Sequence, residues 1–485
     1  MRFVIGIDVG TSGTKCALYS EEGFLVSSHT ENYDMYQPNS GWAEQNPEDW
    51  WKATVVGIIK IIRDSCEKLG IDRSEVCKSI AGIGLTGQMH SLVLLDEDDK
   101  VIRNAILWCD QRSERECIEL TDLVGEETLM KINRNPAITG FTASKILWVK
   151  NNEPDNFKRT KTILLPKDYI RFMMTGVKAT DASDAAGMQL LDLEKRDWSD
   201  FILDKVGIDR TMLGTVHESN QVTGYTNRDF YHLTGIKSVP VVAGGGDNAC
   251  SAIGCGVVQD GSTFVSLGTS GVVYTHNSVL PSNAQRGIHT FCSAVPGEYH
   301  LMGVHQASGL SLKWFVNNFC EKEKEMAESS GRSVYELTDE IVKSVPIGSN
   351  NLLYLPYLMG ERTPHLDPDI RGAFIGLSAM HTKGDLLRAV MEGVVFSLRD
   401  SITLFNESGI TIDKVIACGG GSNSPVWRQM IADVFDCEVY LSNSSDMATF
   451  GAAILAMNGV GIHSDLIGLC RKFITYKLVN EPIED

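Results

Sequence analysis

The tetrapeptide Gly-Thr-Ser-Gly occurs twice in this chain, each time directly after an apolar run. Gly10-Thr11-Ser12-Gly13 follows Phe3-Val4-Ile5-Gly6-Ile7-Asp8-Val9. Gly268-Thr269-Ser270-Gly271 follows Thr263-Phe264-Val265-Ser266-Leu267. Strand-like residues resume after both copies, at Cys16-Ala17-Leu18-Tyr19 and at Val272-Val273-Tyr274. Each copy is therefore expected to close a β-hairpin. A turn of glycines and small hydroxyls presents backbone N–H groups, which is what a phosphate oxygen needs. Two such turns in two halves predict a duplicated fold that grips a polyphosphate from both sides.

A chain of 485 residues is too long for one compact core. The rest of the pattern is mixed α/β. Asn46-Pro47-Glu48 starts a helix that runs through Trp50 to Ile59. Strands are expected at Ile80–Leu85 and Ser91–Leu95, and a long helix at Asp385–Ser408 with Gly409 as its stop. The run from Thr160 to Asp184 is less regular. A strand at Val239–Ala243 leads into Gly244-Gly245-Gly246-Asp247, and the boundary between two domains is placed there, giving residues 1–245 and 246–485. A glycine triplet suits both a hinge and the close approach of a ligand.

Net charge of −18 argues against a nucleic-acid partner and against an anionic membrane surface. It leaves room for a nucleotide, which needs only a local field and a metal. No apolar stretch is long enough to span a bilayer, and Asp8 would interrupt a signal sequence. Twelve scattered cysteines without zinc-type spacing read as reduced thiols of a cytoplasmic protein.

Several residues carry chemistry. Asp8, two residues before the first turn, can serve Mg²⁺ beside the phosphates. Lys15 follows the same turn and can add positive charge. The segment is not a P-loop, because Gly13 and Lys15 are separated and a strand follows. Gly82-Ile83-Gly84-Leu85-Thr86-Gly87 has the spacing of a dinucleotide fingerprint but lacks the helix that should follow. Gln88-Met89-His90, in a glycine-rich turn after a strand, can present polar groups to a polyol. Asp247 can accept a hydroxyl proton or cap the helix that follows. Gly419-Gly420-Gly421-Ser422-Asn423 ends one strand and opens a helix, which suits flat packing of a nucleoside.

Taken in order, these motifs resemble the actin-like ATPases, and within them the FGGY carbohydrate kinases. Two segments match that family's signatures: Gly140 to Asn152, and Gly372-Ala373-Phe374-Ile375-Gly376-Leu377 through Asp385-Leu386 to Ala389-Val390-Met391-Glu392. The stretches Gly87–His90, Ala105–Trp108, Leu164–Tyr169, Ser183–Gly187, Val241–Asn248 and Gly360–His365 resemble its pentulose-phosphorylating members. Ser91 and Cys109 depart from their pattern. The resemblance implies two ribonuclease H-like domains with a catalytic cleft between them. It implies ATP-dependent phosphorylation of an open-chain pentulose, D-xylulose first, with ribulose, fuculose, gluconate and glycerol as alternatives. A machine that hydrolyses ATP to move protein partners is the rival from another class. Asp247 would be the general base. Gln88, Met89, His90, Trp108, Asp247 and Asn248 would line the sugar site. Thr11, Ser12, Lys15, Gly268, Thr269, Gly420, Gly421 and Asn423 would face ATP, and Asp8 would serve Mg²⁺. The resemblance also implies a homodimer.

Overall fold

The protein was analysed as a computed structural model, which describes residues 1–282, 286–444 and 446–483. Fourteen strands that position the site are numbered here in chain order. The first sheet uses β1 (Phe3–Val9), β2 (Gly13–Ser20), β3 (Leu25–Asn32), β4 (Ile80–Gly87), β5 (Val222–Tyr225), β6 (Pro240–Val242) and β7 (Gly245–Gly246). The second uses β8 (Thr263–Leu267), β9 (Gly271–Asn277), β10 (His289–Cys292), β11 (Tyr299–His305), β12 (Lys414–Cys418), β13 (Glu438–Ser442) and β14 (Tyr476–Asn480).

The two sheets repeat one plan. In the first, the order is β5-β6-β4-β1-β2-β3, with β7 also paired to β4. In the second it is β10-β11-β9-β8-β12-β13-β14. Each has an antiparallel meander, β1-β2-β3 or β8-β9-β11. Each then continues through parallel partners, β4 beside β1 and β12 beside β8. This is the duplicated, actin-like architecture expected from the paired turns. Both tetrapeptides are hairpin turns: Val9 pairs with Thr14, and Leu267 with Gly271.

The nine helices that matter are α1 (Pro47–Leu69), α2 (Thr142–Asn152), α3 (Pro166–Thr175), α4 (Asp247–Cys255), α5 (Ser308–Phe319), α6 (Val334–Lys343), α7 (Lys383–Glu407), α8 (Pro425–Phe435) and α9 (Met447–Gly459). Helix α1 starts where its capping signal predicts, with Asn46 Oδ1 accepting from Glu48 N. Helix α7 closes on a capping box between Thr382 and Asp385 at its start. The region from Thr160 to Asp184 resolves into a short strand, Thr162–Leu164, then α3, then a second strand, Ala179–Asp181. Its period was obscured because nearly every residue of α3 is buried.

Helix α9 comes from the second half of the chain yet packs on the first sheet, against β1 and β4, and side by side with α4. Thr449 to Met457 are buried without a polar stripe, as expected of a helix enclosed on all sides. A Cβ on Gly6 or Gly84 would overlap the backbone carbonyl of Thr449 or Ala452, so glycine in β1 and β4 is what lets this helix sit so close. Tyr19 Oη and Thr449 Oγ1 share a hydrogen bond of 2.9 Å across the same junction. Among the described residues no helix is long and apolar enough to cross a membrane.

Candidate active site

The first turn is held by its carbonyls. Gly10 N donates to Gly13 O at 3.1 Å, and Tyr33 N to Ser12 O at 3.3 Å. Tyr33 Oη donates to Gly10 O and Gln45 Nε2 to Thr11 O, at 2.5 and 2.7 Å. The amides of Thr11 and Ser12 have no protein acceptor among the described residues. The result is a rigid loop with donors left over for an anion. Thr11 also faces sideways: its Oγ1 accepts from Trp108 Nε1 at 3.0 Å and donates to Gln88 Oε1 at 3.5 Å. Thr11 thus joins the phosphate turn to the residues expected around the sugar.

Three carboxylates converge beside this turn. Asp8 lies near the C-terminal end of β1, opposite Lys15 in the hairpin register. Asp247 is the first residue of α4, and Asp446 immediately precedes α9. Lys15 Nζ pairs with Asp446 Oδ2 at 2.7 Å. Burial, then Asp247 and Asp446, push the Asp8 carboxyl up to about 7 against the opposing pull of Lys15. Burial pushes Asp247 up to about 6, opposed by hydrogen bonds from Asn248 N at 2.7 Å and Asn248 Nδ2 at 2.9 Å. Asp247 does not act as the helix N-cap; that position is Gly246. Its other oxygen remains free to take a proton.

Gln88, Met89 and His90 leave β4 at its C-terminal end. Gln88 is almost fully buried and donates to Gln45 Oε1 at 3.1 Å, so its amide forms the wall behind the turn. Met89 packs against Gly246, where a Cβ would come within 2.7 Å of its Sδ. His90 has φ of 67°, a left-handed backbone that histidine tolerates better than branched residues. Its Nδ1–H donates to Gly187 O at 3.1 Å, and any side chain at 187 would strike the imidazole. Phe141 and Phe291 lie 4.8 and 5.9 Å from its ring centroid. Burial, then the nearby charges of Lys145 and Arg362 and His289, hold His90 well below the usual histidine range. It is therefore a neutral imidazole whose Nε2 can accept from a hydroxyl. Ser91 Oγ accepts from Trp108 N at 3.1 Å, which ties the Trp108 backbone to the turn that carries His90.

The glycine segment before Asp247 is clamped at both ends. Arg171 Nη1 on α3 donates to Ala243 O at 2.6 Å. Gly246 N donates to Ser183 Oγ at 3.2 Å, and Ser183 Oγ donates to Asp181 Oδ2 at 2.5 Å. Both arms belong to one buried cluster, in which Lys167 Nζ lies 2.6, 2.7 and 3.2 Å from Asp168, Asp181 and Asp184. Arg171 meets Asp168 at 2.9 Å.

The second turn borders a cavity of about 700 Å³, within the range of a small-molecule site. Gly268, Thr269, Gly420, Gly421 and Asn423 all line it. Gly309 N and Leu310 N at the start of α5 donate to Gly268 O and Thr269 O at 2.9 and 3.0 Å. Trp427 on α8 forms one wall. Ser424 donates to Asp339 Oδ1 at 2.8 Å and caps α8 by accepting from Trp427 N at 3.0 Å. Thr11, Ser12 and Lys15 do not line this cavity; they sit with Asp8 on the first sheet. Sequence reasoning brought out the glycines but not Lys313, Tyr335, Asp339 or Trp427, which share the cavity from α5, α6 and α8. These residues sit on ordinary amphipathic helices, so no local pattern marks them. Lys167 and Ser183 were visible only as parts of matching stretches.

Comparison with known proteins agrees across the whole chain. The N-terminal domain of the FGGY family of carbohydrate kinases matches residues 3–254, and its C-terminal domain residues 263–459. The chain is 40% identical over 475 residues to a xylulose kinase of Bacillus subtilis (strain 168), covering 98% of this chain and 91% of that protein. It is 39% identical over 481 residues to a xylulose kinase of Lactococcus lactis subsp. lactis (strain IL1403), covering 98% and 92%. The crystal structure of a xyloylose kinase from Brucella ovis superposes with a TM-score of 0.87 at 35% identity, covering 99% of this chain and 93% of that one.

Proposed function

Since the chain belongs to the FGGY family of carbohydrate kinases, we propose that it transfers the γ-phosphoryl group of ATP to the C5 hydroxyl of D-xylulose, giving D-xylulose 5-phosphate. The observation that carries this reading is the position of Asp247. It stands between the Met89–His90 pocket and the first phosphate turn, on a segment fixed from both sides.

The sugar lies along Met89 and His90 under the Trp108 indole, and Asn248 stands beside the reacting end. His90 Nε2 accepts from a sugar hydroxyl. Asp247 accepts the proton of the C5 hydroxyl as that oxygen bonds to phosphorus and the bond to the β-phosphate oxygen breaks. Such proton removal contributes roughly 10²–10⁴-fold. The adenosine occupies the cavity walled by Trp427 and the Gly420–Asn423 turn. The amides of the two Gly-Thr-Ser-Gly turns, with Lys15, hold the phosphates.

Asp8, Asp247 and Asp446 face one lysine, so the site carries surplus negative charge. That surplus fits Mg²⁺ held by Asp8, water and phosphate oxygens, where it would neutralise charge on the phosphates.

Residues 1–245 carry the sugar and the first phosphate turn, and residues 246–485 carry the nucleotide cavity. The twelve free cysteines fit a cytoplasmic enzyme, and the family resemblance implies a homodimer, which light scattering will measure. The deciding experiment is ADP release measured across pentuloses, polyols and sugar acids. D-xylulose should give the highest kcat/KM and should stimulate ADP release strongly. A sugar acid or polyol ranking first would reassign the acceptor. Sugar-independent hydrolysis would place the protein with the protein-moving ATPases.

A further inference from the structure

Arg362 is a partly exposed cation without a carboxylate partner among the described residues. None of the ion pairs among the described residues includes it, and its side chain donates no hydrogen bond to any of them. Its neighbour Glu361 does not compensate. Glu361 Oε1 accepts from the backbone amides of Gln306 and Arg362, at 2.9 and 2.8 Å. Burial weighs against the guanidinium charge, and the influence of Cys109 and Glu361 only partly offsets it. A half-shielded guanidinium with no protein partner keeps its donors available to a ligand with acceptor oxygens.

The arginine is also aimed. Thr363, the next residue, is tied to the second sheet: Thr363 N donates to Val304 O at 3.0 Å, and Val304 N to Thr363 Oγ1 at 2.9 Å. From that anchor the side chain crosses into the first half of the chain. Its guanidinium carbon stands 6.0 Å from the centroid of the Trp108 ring. Its Nη2 occupies the space beside Gly140, where a Cβ would lie within 2.6 Å. The first signature segment therefore begins with a glycine that admits an arginine from the other half.

The pocket floor then reads in order. Met89 abuts Gly246, the neighbour of Asp247. His90 abuts Gly187 and stacks edgewise on Phe141, the neighbour of Gly140. Arg362 lies beyond His90 on the Gly140 side, and its charge acts on His90, Lys145 and His289. A pentulose with its C5 hydroxyl at Asp247 directs its C1 hydroxyl and C2 carbonyl towards Arg362.

We propose that Arg362 is the acceptor-binding residue supplied by the second half of the chain, and that its guanidinium holds the C2 carbonyl and C1 hydroxyl oxygens of the ketose. The inference rests on the sugar-kinase reading above and adds the group that selects a 2-ketose over the corresponding polyol. The planar fork of five donors suits two adjacent oxygens, which a point-like ammonium does not reproduce.

The test compares wild type with Arg362→Met and Arg362→Lys in steady-state kinetics, using D-xylulose, D-arabinitol and MgATP as the varied substrates. Arg362→Met should raise the KM for D-xylulose roughly 10- to 100-fold, as expected for loss of hydrogen bonds from a charged donor. The KM for MgATP should stay within about twofold, and the preference for D-xylulose over D-arabinitol should shrink by the same factor as the sugar affinity. Arg362→Lys should recover part of the affinity but not the full discrimination. An unchanged KM and an unchanged ketose-to-polyol ratio overturn the proposal, and so does an equal loss for sugar and MgATP. If thermal melting shows that Arg362→Met does not fold, Arg362→Lys decides alone: a selective rise in sugar KM supports the proposal, and wild-type discrimination overturns it. Failure of the sugar-kinase reading itself would appear in the wild type, as lack of turnover of D-xylulose. The same ratios are then taken on the acceptor that the substrate panel ranks first.

Discussion

Ser183 accepts a hydrogen bond from the amide of Gly246, one residue before Asp247. The carboxylate is thereby tied to a buried charged cluster it does not touch. Three consecutive glycines would otherwise leave Asp247 on the least constrained backbone available. Ser183→Ala should lower kcat about tenfold with little change in either KM, and Ser183→Thr should restore part of the loss. A purely structural role would lower the melting temperature and leave kcat per folded molecule unchanged, so kinetics and melting together separate the two.

With Asp247 as the proposed base, its carboxyl should set the acidic limb of the rate profile. Its carboxyl is raised to about 6 and must be ionised to accept a proton. Turnover should therefore rise with pH through about 6 and level off above it. Asp247→Asn should remove the limb along with roughly 10²–10⁴-fold of kcat. A variant that keeps both is incompatible with the base assignment.

Asp8 should cost the ligand-free protein stability. Its folded-state carboxyl is raised to about 7, above the ordinary aspartate value, so the folded protein binds an extra proton between those limits. Stability contributed by that proton is present at low pH and is lost as pH rises through about 7. Asp8→Asn should therefore raise the melting temperature at pH 8, by ~2 kcal/mol or a few degrees, with a smaller gain near pH 5. It should at the same time raise the Mg²⁺ and ATP concentrations needed for half-maximal rate. A melting gain equal at both pH values would contradict the ionisation argument.

Gly187→Ala should act on the sugar alone. The added methyl would collide with the His90 ring, whose left-handed backbone leaves it little freedom to retreat. The KM for D-xylulose should rise tenfold or more, while ATP binding by calorimetry stays unchanged. Equal losses on both ligands would show that the damage spreads beyond the pocket.

The hairpin turns, the glycine-rich nucleoside turn and the capped helices were legible because each depends on residues close in sequence. Gly10–Gly13 and Asn46–Glu48 state their geometry locally. The fingerprint-like run at Gly82–Gly87 could be dismissed for the same reason, and it is a strand. What stayed hidden is made by distant segments. Thr11 is expected at ATP from its turn alone, but that its hydroxyl is also bonded to Trp108 and Gln88 is a partnership no local spacing announces. The Lys167 cluster and Trp427 are hidden for the same reason.

Helix α9 has a consequence for how this chain can be divided. It covers the first sheet but is made late, after six of the seven strands of the second sheet and before only β14. A fragment ending near residue 245 would present the apolar face of β1 and β4 to water and should aggregate or stay partly unfolded. Supplying residues 246–485 in trans would return the missing cover, so the two fragments should become soluble only together. During synthesis the N-terminal half must therefore wait, incompletely buried, until the ribosome has nearly finished the chain.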